Sequence, residues 1–147
     1  MRHPLPTAYF FAAIVLAVAL HFLVPLRRIV AFPWRWGGLA PLLAGILLNL
    51  LADRAFKKHS TTVKPFEKSR SLVTEGVFGI SWNPMYTGMT FVVFGIALLL
   101  GSLSPFAVAV VLPIVFDRVF IRREERMLAD AFGDRFREYR RRVRKWI

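Results

Sequence analysis

The feature that most constrains this chain is a set of four long apolar blocks, covering roughly residues 7–26, 38–56, 85–100 and 105–120. Helices of about 17 to 25 apolar residues match the hydrocarbon thickness of a bilayer. A helix also satisfies its backbone hydrogen bonds within one segment, as lipid requires. The blocks therefore predict an all-α fold, a polytopic membrane helical bundle with about four transmembrane helices.

The 147 residues are expected to form a single membrane domain, residues 1–147. The first apolar block leads into Pro25 and a pair of arginines without a small-residue cleavage pattern, so we interpret it as a retained span. Between and after the spans lie two longer polar regions, a loop at 57–83 and a tail at 121–147. Loops of this length are often functional, although a plain solvated connector is the simpler interpretation.

The net charge of +12 lies outside the apolar blocks. Basic residues that flank membrane spans favour anionic lipid headgroups as partners and argue against nucleic acid. The chain has no cysteine, which excludes disulfides, thiolate metal sites and cysteine nucleophiles. Its three histidines are too scattered along the chain to predict a metal site.

Basic residues near the span ends predict the orientation of the chain. With four spans, the N-terminus, the loop at 57–83 and the tail share one side of the membrane. Ten Lys or Arg follow residue 121 and six more lie between 54 and 70, whereas the loop between the first two spans carries Arg27, Arg28 and Arg35. Both termini are therefore expected to be cytoplasmic, with the protein in a bacterial inner membrane.

The tail is predicted to form an amphipathic cytoplasmic helix, which Gly133 could divide into two. Six apolar residues recur at three- and four-residue steps and share one face: Leu128, Phe132, Phe136, Tyr139, Val143 and Trp146. The other face is rich in arginine. Such a helix is either an anchor on the membrane surface or a lid over something bound at the mouth of the spans.

Two short motifs each have a structural and a functional interpretation. Asn83 and Pro84 are typical of a helix start, here that of the third span. Glu124 and Glu125 follow the fourth span among arginines, as in a salt-bridged helix start. Carboxylates in this position could also hold an ammonium group or a ribose hydroxyl.

A few polar residues and one proline lie within or at the ends of the spans. Asp117 is either a functional group or the partner of Arg118 in an interfacial ion pair. His21 and Asn49 are expected to bond to neighbouring helices or to lie near an interface. Pro113 should kink the fourth span, which could open a cavity between helices.

In order and spacing, these segments resemble the isoprenylcysteine carboxyl methyltransferase and phospholipid methyltransferase superfamily. The resemblance extends over roughly residues 61–146 and is carried by four segments: Leu72-Val73-Thr74-Glu75-Gly76-Val77-Phe78, Asn83-Pro84-Met85-Tyr86, Glu124-Glu125-Arg126-Met127-Leu128 and Phe132-Gly133-Asp134-Arg135-Phe136-Arg137-Glu138-Tyr139. Trp82 stands where the family's Arg-His-Pro-x-Tyr motif has its arginine, and Asn83 stands for the histidine.

The resemblance implies S-adenosylmethionine as the cofactor, bound on the cytoplasmic side between the last spans and the tail. It implies these cofactor-binding residues: Asn83, Pro84, Tyr86, Glu124, Glu125, Tyr139 and Lys64. Arg140 resembles a tail residue that closes over the site. No catalytic residue is predicted, because methyl transfer requires alignment of the reacting atoms more than a covalent group.

The implied activity is methyl transfer to a lipid or a small apolar acceptor, either isoprenylated cysteine, phosphatidylethanolamine, or a small thiol or phenol. A carboxylate acceptor would need no base, whereas an amine or thiol would have to lose a proton. Two alternatives remain. One is a non-catalytic lipid-binding or scaffold protein of the same fold, which Trp82 favours. The other is a membrane reductase that uses a nicotinamide cofactor.

Overall fold

The computed structural model describes residues 5–60 and 71–147, and every regular element in this part of the chain is helical. The α-helices are α1 (Pro6–Leu23), α2 (Leu39–Lys58), α3 (Pro84–Leu100), α4 (Leu103–Val115), α5 (Arg122–Phe132) and α6 (Asp134–Arg142). Short 3-10 helices occupy Trp34–Gly38 and Gly76–Gly79, and a π-helical turn, Phe116–Ile121, joins α4 to α5.

Four apolar helices form the membrane part of the protein, which confirms the predicted all-α membrane bundle. Three helical stretches have the length and composition to cross a bilayer: Pro6–Leu23, Trp34–Lys58 and Leu103–Phe132. The shorter apolar helix α3 has 17 residues. Helix α1 ends at Leu23, before the predicted residue 26, because Pro25 disfavours a helical conformation at Val24.

One end of the bundle, here called the connector end, joins the α1–α2 connector (residues 24–38) to the α3–α4 turn. The backbone amides of Ile29 and Val30 donate to the carbonyl of Gly101 at 2.9 and 3.0 Å, and the amide of Leu103 donates to the carbonyl of Arg27 at 3.1 Å. Gly101 ends α3 with a φ of +79°, a conformation that favours glycine. The opposite end, the tail end, carries the α2–α3 loop, α5 and α6.

Helices α2 and α3 pack closely through glycines spaced seven residues apart. A Cβ atom at Gly38 would lie 2.4 Å from the carbonyl oxygen of Gly95, and one at Gly45 would lie 2.4 Å from that of Gly88. Small residues let membrane helices approach to backbone contact, which supplies van der Waals packing that lipid cannot replace. This glycine seam fixes α2 against α3 and so positions the start of α3 at the tail end.

The core is richest in aromatic residues near the tail end. Phe116, Phe120 and Phe136 are fully buried. Pro113 lies inside α4 and has no N–H for the helical ladder, and the π-helical turn begins three residues later. The turn brings Phe116, Phe120 and Ile121 into the core together.

The two uncharged polar residues predicted to bond within the spans do so in different ways. The Nδ1 atom of His21 lies 2.7 Å from Oγ of Ser102 and so links α1 to the α3–α4 turn. The side-chain amide of Asn49 instead donates to the carbonyl of Gly45 in its own helix, at 2.9 Å. Asn49 packs against Gly88, which has no side chain to offer as a partner on α3.

Candidate functional site

The tail end brings together segments that are far apart in sequence. They are the 3-10 helix Gly76–Gly79, the entry to α3, the α5–α6 pair, and the final residues 143–147. The backbone amide of Trp82 donates to the carbonyl of Arg144 at 3.1 Å, which ties the last residues of the chain to the entry of α3.

Asn83 and Pro84 start α3, as the sequence predicts, but Asn83 also binds the tail. Pro84 is fully buried in the first turn, where a missing N–H costs no hydrogen bond. The side chain of Asn83 makes no capping bond to α3. Instead, its Nδ2 donates to the carbonyl of Lys145 at 3.2 Å, and the hydroxyl of Ser81 donates to the same carbonyl at 3.1 Å.

Tyr86 and Glu124 join α3 directly to α5. The Tyr86 hydroxyl donates to Oε1 of Glu124 at 2.6 Å. The Tyr86 ring packs against the rings of Phe116 and Phe120, with centroids 5.1 and 6.3 Å away, so the tyrosine is held rigidly. Two motifs separated by 38 residues are thus in contact at one point.

Glu125 and Asp117 form a second polar cluster with residues of the tail. Glu125 is paired with Arg140, and its other oxygen lies 3.9 Å from Nζ of Lys145. Asp117 is paired with Lys145 and with Nε of Arg122, the latter at 3.1 Å.

 Of the two interpretations of Asp117, the ion pair is present, but it is made with Arg122 and Lys145 and not with the exposed Arg118.

Trp82, the residue that departs from the family motif, is buried beneath the tail with 7% of its surface exposed. Its ring meets the ring of Phe136 edge-on at 5.8 Å. The guanidinium of Arg140 lies 5.4 Å from its centroid and the ammonium of Lys145 lies 5.8 Å away. Both distances fall within the range of cation–π attraction, so Trp82 supports the two cations that pair with Glu125 and Asp117.

Tyr139 fastens α6 to the α2–α3 loop, since its hydroxyl donates to the backbone carbonyl of Phe78. Burial raises the pKa of Tyr139, so the hydroxyl stays a proton donor across the physiological range. Gly133, with a φ of +52°, separates α5 from α6 and lets α6 fold back over the bundle.

The six apolar tail residues predicted to share one face all contact the core of the bundle. Phe136 and Tyr139 are buried, and the other four are half-buried: Leu128, Phe132, Val143 and Trp146. Of the two interpretations of the tail, a packed cap describes this arrangement better than a free helix on the membrane surface. The cap consists of α6 and residues 143–147.

Six of the seven predicted cofactor-binding residues lie at the tail end, and Lys64 lies outside the described residues. Sequence reasoning missed Ser81 and Lys145, which connect the cap to the entry of α3. No motif marks either residue, because their contacts depend on how α6 folds back. Within residues 5–60 and 71–147, no group of three or more His, Asp or Glu side chains is placed to hold a metal ion.

The fold and the site define a class: an integral membrane helical bundle in which carboxylates at one end pair with a C-terminal cap. The sequence profile of the phospholipid methyltransferase family matches residues 33–135, and the chain belongs to that family. This confirms the superfamily indicated by the motifs. A search of curated protein sequences found no match.

Among solved structures, the fold is similar to that of the eukaryotic intramembrane Ras methyltransferase, isoprenylcysteine carboxyl methyltransferase. The TM-score is 0.67 at 23% sequence identity, and the match covers 96% of this chain and 51% of the other. This chain therefore spans about half the length of that structure. At this level of identity the similarity establishes the shared fold.

Proposed function

We propose that the protein is an S-adenosylmethionine-dependent methyltransferase that acts on a lipid or a small apolar acceptor. The observation that carries the proposal is the contact of Tyr86 with Glu124 beside the pair of Glu125 with Arg140. It joins the motif residues of α3, α5 and α6 in one place. Family membership supports the same activity. The basic tail end would face the cytoplasm, where the cofactor is available.

The donor set at the tail end fits the charged groups of S-adenosylmethionine. The carboxylates of Glu124 and Glu125 complement its ammonium and sulfonium charges and can accept hydrogen bonds from ribose hydroxyls. Arg140 and Lys145 complement its carboxylate.

When bound, S-adenosylmethionine would supply an electrophilic methyl group. The task of this chain is then to align the acceptor with that methyl group and to exclude water. Tyr86 holds Glu124 in one orientation through its hydroxyl, and the cap covers the polar groups from the aqueous side. An apolar acceptor could approach sideways from the bilayer, between the helices.

Isothermal titration of the detergent-purified protein with S-adenosylmethionine tests this proposal. Glu125→Gln should weaken binding by about 1–3 kcal/mol, because it removes a charge-assisted interaction. Glu138→Gln is the matched control, since Glu138 is an exposed carboxylate on the outer face of α6 that pairs with Arg142. The proposed site would be contradicted if S-adenosylmethionine did not bind to a folded sample. It would also be contradicted if the two variants lost the same amount of affinity.

A transfer assay separates the enzyme from the two alternatives. Label from the methyl group of S-adenosylmethionine should appear in a membrane lipid extract or a small apolar product. A scaffold or lipid-binding protein would transfer no label to either. A membrane reductase would bind a nicotinamide cofactor in preference to S-adenosylmethionine in a direct comparison.

A further inference from the structure

The connector end carries three arginines that the proposed methyltransferase site does not use. Arg27, Arg28 and Arg35 lie on the α1–α2 connector, at the opposite end of the bundle from Glu124 and Glu125. Helix α3 has 17 residues, so the two ends are about 25 Å apart at 1.5 Å per residue. The proposed site therefore cannot account for these charges.

Within residues 5–60 and 71–147, no carboxylate is paired with these arginines. The sequence has nine Asp and Glu, and all of them lie within residues 53–75 or 117–138. The first range begins near the end of α2 and the second begins in the π-helical turn, and their described members lie at the tail end. Arg27 and Arg28 are exposed, so a counterion from outside the chain can reach them.

The same connector exposes three large aromatic side chains. Phe32, Trp34 and Trp36 have 71%, 80% and 53% of their surface exposed. Tryptophan is enriched at membrane–water interfaces, where its ring lies among headgroups and its N–H can reach a polar partner. Because the connector joins two spanning helices, it lies at this level of the bilayer.

The connector is held in place by the α3–α4 turn. The hydroxyl of Ser104 accepts from the amide of Leu26 at 3.3 Å and donates to the carbonyl of Val24 at 2.5 Å. His21 contacts Ser102 from α1. With the backbone bonds to Gly101, these contacts make the connector a fixed support for its side chains rather than a loose loop.

We propose that the connector surface, formed by Phe32, Trp34, Trp36 and the three arginines, binds the headgroups of anionic phospholipids. The arginines would pair with lipid phosphate, for which the planar guanidinium is suited, and the aromatic rings would pack among the upper acyl chains and glycerol groups. The occupant is a lipid of the leaflet opposite the tail end. This inference is independent of the methyltransferase activity.

Native mass spectrometry of the whole protein tests the inference. The protein is released from micelles that contain equal amounts of phosphatidylglycerol and phosphatidylcholine, and the retained lipids are counted. We expect preferential retention of phosphatidylglycerol. An arginine at an anionic surface contributes a factor of about five to binding, so each of Arg27→Gln, Arg28→Gln and Arg35→Gln should lower retention by about that factor.

The matched control replaces Arg135, Arg137 and Arg141, which are exposed on α6, by glutamine. The control variant should retain phosphatidylglycerol as the unaltered protein does. A loss equal to that of the connector variants would show diffuse charge attraction and overturn the inference. Equal retention of the two lipids by the unaltered protein would also overturn it. So would release of phosphatidylglycerol by millimolar inorganic phosphate, since the arginines would then bind free phosphate.

The counterpart of this triple control replaces Arg27, Arg28 and Arg35 together by glutamine. Where that variant does not fold, the three single variants and Arg28→Lys keep the test decisive. Arg28→Lys retains the charge and should retain most of the lipid, whereas Arg28→Gln should not. Equal loss in both, in variants that retain their fold, would show that the charge at this position does not hold the lipid and would overturn the inference.

Discussion

The two ends of the bundle are both basic, but they differ in how their basic side chains lie relative to acidic residues. At the tail end, the carboxylates of Asp117 and Glu125 are paired with arginine and lysine side chains within the chain. At the connector end, Arg27 and Arg28 are paired with no acidic residue of the described part of the chain, and large aromatic side chains are exposed beside them. The placement of the few acidic residues, rather than the excess of basic ones, distinguishes the two ends.

The two ends also differ in how deeply their aromatic side chains are buried. Phe136, on the inner face of the cap, is fully buried, whereas Phe22, at the connector end, has 72% of its surface exposed. The following substitutions test this difference in order of decreasing expected effect.

Phe136→Ala should have the largest effect on stability. Truncation of a fully buried phenylalanine leaves a cavity and typically costs about 3–5 kcal/mol. Phe22→Ala, the matched control at the exposed end, should cost less than about 1 kcal/mol. Unfolding of the two variants in detergent, followed by circular dichroism, measures both. Similar losses in the free energy of unfolding would contradict the contrast between a packed cap and a lipid-facing connector.

Gly38→Ala and Gly37→Ala compare two adjacent glycines at the start of the seam. A Cβ atom at Gly38 would lie 2.4 Å from the Gly95 carbonyl oxygen, whereas one at Gly37 meets nothing within 4 Å. Overpacking should destabilise Gly38→Ala by about 1–3 kcal/mol. Gly37→Ala should be nearly neutral. Thermal unfolding in the same detergent checks both, and an equal cost would show that the seam is not close-packed.

Lys145→Met should loosen the cap more than Arg142→Met does. Lys145 is half-buried against Asp117, whereas Arg142 and Glu138 form an exposed pair on α6. We expect a cost of about 1–2 kcal/mol for Lys145→Met, since Asp117 loses a partner. The exposed pair should contribute about 0.5 kcal/mol or less. Proteolysis rates of the C-terminal segment measure the difference, and faster cleavage in Arg142→Met would contradict it.

Tyr139→Phe should have the smallest effect, about 0.5–1.5 kcal/mol, because it removes one hydrogen bond to the Phe78 carbonyl and keeps the buried ring. Exchange of the tail amides with deuterium should increase. Tyr9→Phe is the control, since Tyr9 is half-buried in α1 and packs edge-on against Phe120. An equal increase of the exchange rate in both variants would show that the Tyr139 hydroxyl does not hold the cap in place.

Much of the fold could be predicted from the sequence, because lipid allows few alternatives to apolar helices. The amphipathic pattern of the tail also identified the face that packs, including Phe136 and Tyr139, and the break at Gly133. The glycine seam was missed, although the seven-residue spacing of Gly38 and Gly45 and of Gly88 and Gly95 is visible in the sequence.

The site could be predicted only in part. The order of the motifs indicated that Asn83, Tyr86 and Glu124 would be near each other, but local pattern could not supply their partners. The role of Lys145 depends on the fold-back of α6, and the partners of Asp117 depend on the π-helical turn. Contacts between segments far apart in sequence leave little trace in the local spacing of residues.

Hydrogen–deuterium exchange with and without S-adenosylmethionine reports on both ends of the protein in one measurement, and it shows whether the cofactor binds at the tail end. We expect slower exchange in residues 78–87 and 122–146 when the cofactor is added, and no change in the connector at 24–38. Protection of the connector, or no protection at the tail end in a sample that retains its fold, would contradict this expectation.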